Sequence, residues 1–232
     1  MSMNVAIVGA GRGLGLELAR TFLAKGHRVA AGVYERATPP ALAELEEEHS
    51  GRLLVFQADV TDEAEIRRGA RICADFLRAI DALCNVAGVL LPGDRVNPIH
   101  RCDVAELRRT FEVNAIGPVI VAKEFYPVMK RGGKLLTVTS EGPGIYNCGT
   151  WIPCYGLSKT AATKVPGMFN AAIADVDFFA VHPGRMNTEM GRTTAQIEAW
   201  ESAEGFYKLM TGETPLSRDQ WYVDYLGRPM DA

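Results

Sequence analysis

The chain alternates two kinds of apolar pattern. Short apolar runs recur at Asn4–Val8, Val29–Val33, Leu53–Gln57, Leu83–Val86, Lys134–Thr139 and Val176–Val181. Runs of this length, bounded by turn residues, read as strands buried on both faces. Between them apolar residues return every three or four positions, which marks helices with one buried stripe. The predicted helices are Leu14–Lys25, Ala41–His49, Thr61–Ala79, a stretch capped by Asp103 and ending near Phe111, Ala115–Lys130 and Tyr155–Ala172. Gly26 is placed to end the first helix and Thr61 to cap the third. Thr188–Thr211 predicts only short helical pieces, and Trp221–Tyr225 a last strand. Strands alternating with helices imply an α/β fold, a doubly wound parallel sheet with right-handed crossovers. No repeat, low-complexity tract or linker divides the pattern, so residues 1–232 are expected to form a single domain.

Composition narrows the function classes. A chain of 232 residues can bury a full core without staples. Its formal net charge is -3, so no global basic field points to nucleic acid or an anionic membrane as partner. The densest charge run, Glu44–Glu48, is acidic and reads as the solvated face of a helix. The five cysteines, Cys73, Cys84, Cys102, Cys148 and Cys154, contain no C-x-x-C pair. That fits a reducing, cytoplasmic setting rather than a disulfide framework. Val5–Val8 is too short for the apolar core of a signal peptide, and no segment approaches the roughly 20 apolar residues that span a bilayer. His27, His49 and His100 show no metal-ligand spacing, so no metal is expected.

The first chemistry-bearing feature is the turn Val8-Gly9-Ala10-Gly11-Arg12-Gly13-Leu14-Gly15, between the first strand and the first helix. The G-x-G-x-x-G register does not fit it; G-x-x-x-G-x-G does, on Gly9, Gly13 and Gly15. Glycines there permit a tight turn and let backbone approach a pyrophosphate at a helix N-terminus, the Rossmann-type arrangement for a dinucleotide. The bland reading is a merely tight strand–helix turn. The end of the second strand ordinarily meets the adenosine ribose, where an acid favours NAD and an arginine accommodates the 2′-phosphate of NADP. Val33 and Tyr34 hold that position and neither is acidic. Arg36 follows, and Arg12 reaches from the glycine turn, so NADP(H) is preferred over NAD(H). Glu35 folding back onto the ribose would reverse that preference.

A second feature is Tyr155-Gly156-Leu157-Ser158-Lys159, which puts a phenol and an ammonium one helical turn apart on one face. Alone it is a weak signal, and most such pairs lie on the surface. Its company, in order, is the glycine turn, Asp59-Val60 after the third strand, Asn85-Val86-Ala87-Gly88 closing the fourth, Asn114 within Val113–Gly117, Ser140 ending the fifth, and Pro183-Gly184-Arg185-Met186-Asn187-Thr188 after the sixth. This ordered set resembles the classical short-chain dehydrogenase/reductase family over nearly the whole chain. Within it, the Asn114 region, Ser140-Glu141 and the short C-terminal part most resemble the C-factor and sniffer-like carbonyl reductases.

The resemblance implies an oxidoreductase that moves a hydride between NADP(H) and a carbonyl or secondary alcohol. Tyr155 would be general acid for reduction and base for oxidation, helped by the charge of Lys159. Lys159 would also hold the nicotinamide ribose. Ser140 would bond the substrate oxygen, and Asn114 would hold a water-linked proton path to Lys159. The implied cofactor contacts are Gly9, Gly11, Arg12, Gly13, Leu14, Gly15, Arg36, Asp59, Val60, Asn85, Ala87, Gly88, Tyr155, Lys159, Pro183, Gly184, Met186 and Thr188. The bland readings are a turn serine for Ser140 and a helix cap for Asn114. His182 reads as structural, because Tyr155 fills the acid–base role.

This chain departs from the family pattern in four places. Val8 replaces a threonine, Val86 replaces the second asparagine of N-N-A-G, and the stretch from Ser140 to Tyr155 is slightly long. Pro166-Gly167 is expected to interrupt the helix begun at Tyr155, since an internal proline costs roughly 3 kcal/mol and kinks a helix. That helix often forms the family's dimer contact, so the implied homodimer or homotetramer stays open. Glu141, Tyr146, Trp151 and Met186 are the candidate walls of the substrate pocket. The partner is a small carbonyl compound, of apolar or aromatic character if Trp151 lines the pocket rather than anchoring the core. The alternative is a dinucleotide-binding regulatory or signalling protein in which turnover is incidental. A larger substrate domain, as in nucleotide-sugar epimerases, has no room.

Overall fold

Seven apolar runs form one parallel sheet in the computed structural model, which describes residues 2–141, 152–191 and 195–231. The strands are β1 (Asn4–Val8), β2 (Arg28–Val33), β3 (Leu53–Gln57), β4 (Ile80–Asn85), β5 (Met129–Val138), β6 (Val176–His182) and β9 (Tyr222–Asp224). Their order is β3-β2-β1-β4-β5-β6-β9, and each neighbouring pair is parallel. Parallel neighbours need crossovers, and helices supply them: α1 (Gly13–Ala24), α2 (Pro40–Glu48), α3 (Glu63–Leu77), α4 (Val104–Phe111), α5 (Gly117–Phe125), α6 (Pro153–Ala172) and α7 (Ala199–Thr211). Two short strands, β7 (Met186–Asn187) and β8 (Ile197–Glu198), pair beside the sheet.

The alternation along β1 shows why its run is wholly apolar. Val5 and Ile7 face α1, α2 and α7, while Ala6 and Val8 face α3 and α5. All four are fully buried, so either face would reject a polar residue. The order reverses at β1 and β4, and ligands of such sheets bind beyond the carboxyl ends of strands at that point. The glycine turn follows β1 there, and Asn85–Gly88 closes β4.

Several boundaries differ from those the pattern predicts. Thr61 does not cap α3; its backbone and hydroxyl both donate to Asp59 Oδ1, at 2.9 and 2.7 Å, and Asp62 caps instead by accepting from the Glu65 amide. The predicted Ala115–Lys130 helix starts earlier and stops earlier. A π-turn occupies Glu112–Ile116, α5 ends at Phe125, and the Tyr126-Pro127-Val128 turn leads into β5 at Met129. Pro166 does not interrupt α6, which stays helical from Pro153 to Ala172 with Pro166 buried. Gly167 is there for close packing: a Cβ on it would lie 2.7 Å from the Trp221 ring. The segment before Thr211 is one 13-residue helix, α7, rather than short pieces. Its start was hidden because a glutamate, Glu198, forms the capping box with Glu201, in place of the usual serine, threonine, aspartate or asparagine.

Candidate active site

The glycine turn is built against the other switch-point turn. Gly9 takes φ +90, and a Cβ there would lie 2.7 Å from the Ala87 backbone nitrogen. The Gly9 and Ala10 amides donate to Gly32 O, and the Val86 amide donates to Val8 O, which locks the two turns to the sheet. A side chain at Gly15 would collide with the Gly9 carbonyl oxygen. Gly13 and Thr188 are neighbours across the cleft. Helix α1 starts with no side-chain cap and no acid in its first turn, so its first amides have no capping side chain. Two buried polar atoms at the same edge, Asn85 Nδ2 and Thr139 Oγ1, have no hydrogen-bond partner. An open cradle and orphaned polar atoms at a strand-order reversal fit a dinucleotide.

Asn114 and Lys159 converge beside Gly88. A Cβ on Gly88 would lie 3.3 Å from Asn114 Oδ1 and 3.4 Å from Lys159 Nζ. Asn114 sits in the π-turn and is fully buried. Its side chain accepts from the Val89 amide at 2.8 Å and donates to Val89 O and Ser158 Oγ at 2.9 and 3.1 Å. Lys159 is buried, donates to Val138 O at 2.8 Å and lies 5.6 Å from the centroid of the Tyr155 ring. Burial acts on both members of this pair against their charged forms. It pushes the Tyr155 phenol up to about 12 and pulls the Lys159 ammonium down to about 8. Ser140 lies just beyond β5 and is half-buried; its carbonyl accepts from the Tyr222 hydroxyl at 2.6 Å.

At the cleft mouth the two arginines are already partnered. Arg12 pairs with Glu189 at 3.1 Å, and Arg36 pairs with Glu65 at 2.9 Å; both arginines are exposed. Glu35 is folded back so that its Oε2 lies 3.0 Å from where a Gly11 Cβ would stand. Asp59 Oδ1 accepts from the Thr61 hydroxyl at 2.7 Å, and the Val60 side chain packs on Gly117. Pro183 O accepts from Ser202 Oγ at 2.7 Å, which ties the turn after β6 to α7. Met186 packs against the core beneath α7. Glu141 is paired with Arg185 and lies 3.9 Å from His182 Nε2, in a cavity of about 300 Å³ that Asp224, Tyr225 and Arg228 also line. Burial lowers the His182 pKa, and Glu141 opposes that shift. Tyr146 and Trp151 lie outside the described residues.

The profile of the family described as short chain dehydrogenase matches residues 3–199. The chain belongs to that family. As a short chain dehydrogenase it is an oxidoreductase, of the kind that exchanges hydride with a nicotinamide dinucleotide. It is 27% identical to a carbonyl reductase from Pseudomonas aeruginosa PAO1 solved in complex with NADP, with a TM-score of 0.85 and full coverage of both chains. Its fold also matches the carbonyl reductase Sniffer of D. melanogaster at a TM-score of 0.88 and 20% identity, covering 99% of this chain and 100% of that one. Among curated relatives, the 2,3-dihydro-2,3-dihydroxybenzoate dehydrogenase of Bacillus subtilis (strain 168) is 28% identical over 97% of this chain and 84% of its own length. The carbonyl reductase relatives agree with the placement that the Asn114 region and Ser140-Glu141 suggest.

Two features of this short chain dehydrogenase escaped the sequence reading. Glu65 is a buried carboxylate beneath the mouth, accepting from the Asp59 amide at 2.8 Å and from Arg36. Asp94, in the turn Pro92–Arg95, accepts from the Cys154 and Tyr155 amides at 2.8 Å each. A signal for Asp94 was present: Pro153 opens α6 after Ile152, which has no capping side chain, so the helix start needs an acceptor from elsewhere. Among the described residues no helix is long and apolar enough to cross a membrane.

Proposed function

We propose that the protein reduces a ketone or aldehyde with NADPH, or runs the reverse oxidation of a secondary alcohol. The observation that carries this reading is the convergence of Asn114 and Lys159 on Gly88, one helical turn from Tyr155 and beside an open glycine cradle. When bound, the dinucleotide supplies or accepts the hydride. Tyr155 gives its proton to the carbonyl oxygen during reduction and takes one back during oxidation. A phenol held at about 12 is protonated at neutral pH, which suits an acid; a cationic Lys159 makes its phenolate reachable. Ser140 donates to the same oxygen as charge develops there. Asn114 and Lys159 pass the proton onward through water. Gly9, Gly11, Gly13, Leu14 and Gly15 would cradle the pyrophosphate, Asn85, Ala87 and Gly88 the adenosine side, and Pro183, Gly184 and Thr188 the carboxamide.

NADP(H) is the proposed cofactor because Arg12 and Arg36 are both exposed at the mouth, where each can exchange its carboxylate partner for a 2′-phosphate. A second reading, use of NAD(H), rests on the Glu35 carboxylate folded against Gly11. A screen of ketones, aldehydes and quinones with each cofactor tests both. We expect turnover with at least one carbonyl class and a higher kcat/KM with NADPH; a strong NADH preference would reverse the cofactor assignment. Association as a homodimer or homotetramer belongs to the same proposal. Unbroken α6 presents Leu157 and Met168, and α5 presents Val119, as exposed apolar side chains. Light scattering is expected to return a multiple of 25.3 kDa.

A further inference from the structure

The start of α6 has a closed hydrogen-bond account. An α-helix leaves its first amides without intrahelical acceptors. Pro153, the first residue of α6, has no N–H, and the Gly156 amide donates to Ile152 O at 2.9 Å. That leaves the amides of Cys154 and Tyr155. Each donates to a different oxygen of one carboxylate, Cys154 to Asp94 Oδ1 and Tyr155 to Asp94 Oδ2, both at 2.8 Å. Ile152, the residue that would normally cap, is apolar and left-handed, with φ 46 and ψ 55. Asp94 therefore performs from about sixty residues upstream what a local cap performs elsewhere. It is 2% exposed, and no other carboxylate among the described residues is as deeply buried.

The consequence lies in what the carboxylate joins. Asp94 follows the Asn85–Gly88 turn after five intervening residues of the same connection, and that turn packs on Gly9. The other end of the clamp is the backbone of Tyr155 itself. On its far side, Tyr155 O accepts from Ser158 Oγ at 2.7 Å, and Ser158 Oγ accepts from Asn114 Nδ2 at 3.1 Å. The Tyr155 peptide is thus held at its N–H by Asp94 and at its C=O by the Ser158–Asn114 pair. We infer that Asp94 is a positioning residue that sets the distance between the Tyr155 phenol and the glycine cradle. Proton transfer in register with hydride transfer is steep in that distance, and a misplacement of about 1 Å can lower rate on the order of 100-fold. The inference rests on the proposed role of Tyr155.

The test uses Asp94→Asn, Asp94→Glu, Asp94→Ala and Tyr155→Phe in the full chain, with the carbonyl substrate found by the screen. Asp94→Asn keeps the shape but turns one acceptor into an amide that faces an N–H. We expect kcat to fall about 10- to 100-fold, with KM for the cofactor and its Kd, measured by NADPH fluorescence, within about twofold of the parent. A purely structural role would instead lower the fraction of molecules that bind NADPH and leave kcat per binding site unchanged. Asp94→Glu restores the charge but lengthens the side chain, and is expected to stay impaired in kcat. If Asp94→Ala does not fold, hydrogen exchange in the parent still decides. The Cys154 and Tyr155 amides must be among the slowly exchanging ones, and must become fast in Asp94→Asn. Full kcat per binding site in Asp94→Asn, with Tyr155→Phe inactive, would overturn this inference alone. An active Tyr155→Phe would overturn the reading beneath it.

Discussion

Helices α1 and α6 both start at the carboxyl edge of the sheet, and they treat their positive ends in opposite ways. The first turn of α1 contains no acid and its cap residue, Arg12, makes no side-chain bond to it. The first turn of α6 is filled by the Asp94 carboxylate, which takes both available amides. One end has no capping carboxylate, and the other is closed by one from elsewhere in the chain. The difference separates two jobs that look alike in a list of helix N-termini. An open end binds a ligand and must tolerate being uncapped in its absence. A closed end holds a reactive side chain still, and needs its acceptor whether or not a ligand is present.

The contrast can be broken at the α6 end most severely. Tyr155→Phe is expected to lower kcat by about 10²- to 10⁴-fold while NADPH still binds with unchanged Kd, because in the proposed role the phenol transfers the proton and does not hold the cofactor alone. Stopped-flow fluorescence and steady-state rates measure the two quantities. Loss of binding in step with loss of rate would place Tyr155 in the cradle instead.

Lys159→Met comes next. Activity should drop about 100-fold, and stability should move the other way. Burial holds the Lys159 pKa at about 8 against 10.5 for a free side chain. The folded-state pKa lies below the unfolded one, so between those values the unfolded chain holds a proton that the folded protein has released. Stability therefore rises with pH across that window, and the penalty is fully present below about pH 8. Removing the ammonium is expected to stabilise the fold by on the order of 1–3 kcal/mol at pH 7. That increment should shrink between pH 8 and pH 10.5, read by denaturant unfolding at several pH values. With Lys159 in its proposed role, reduction should decline above about pH 8 as the ammonium loses its charge, read from a pH–rate profile.

At the α1 end, Arg12→Asp would supply the missing cap. The backbone there is extended, with φ -160 and ψ 175, which suits an N-cap aspartate. Thermal stability should hold or rise by up to about 1 kcal/mol. NADH, which lacks the 2′-phosphate, should bind about tenfold more weakly, whereas Arg12→Ala should leave NADH affinity within about twofold. Equal effects of the two substitutions would mean the open helix end does not bind the pyrophosphate. The smallest change is expected from Arg36→Ala, a loss of about fivefold in kcat/KM for NADPH with NADH unaffected.

Much of this was legible before the structure. The strands and the order Gly9, Asn85, Asn114, Ser140, Tyr155, Lys159 are local or periodic signals, and short apolar runs in a buried parallel sheet leave little ambiguity. Several of the misses share a physical cause, a partner distant in sequence. Asp94 reaches Tyr155 across 61 positions, Arg12 meets Glu189 across 177, and Pro166 is accommodated inside a helix whose next residue must clear Trp221. The Asp62 cap escaped for a nearer reason, because Asp59 captures both donors of Thr61. Side-chain engagement at the mouth was equally invisible. Arg36 reads as a free cation in the sequence, and only the fold brings Glu65 beneath it.

The most direct measurement is single-turnover NADPH oxidation at 340 nm, with enzyme in excess over cofactor and the carbonyl compound saturating. Parent and Tyr155→Phe proteins would each be preloaded with NADPH. A proton relayed from Tyr155 predicts rapid oxidation in the parent and a rate slower by about 100-fold or more in the variant, with both fully loaded. Oxidation in Tyr155→Phe within about twofold of the parent would contradict the assignment of Tyr155 as the proton donor.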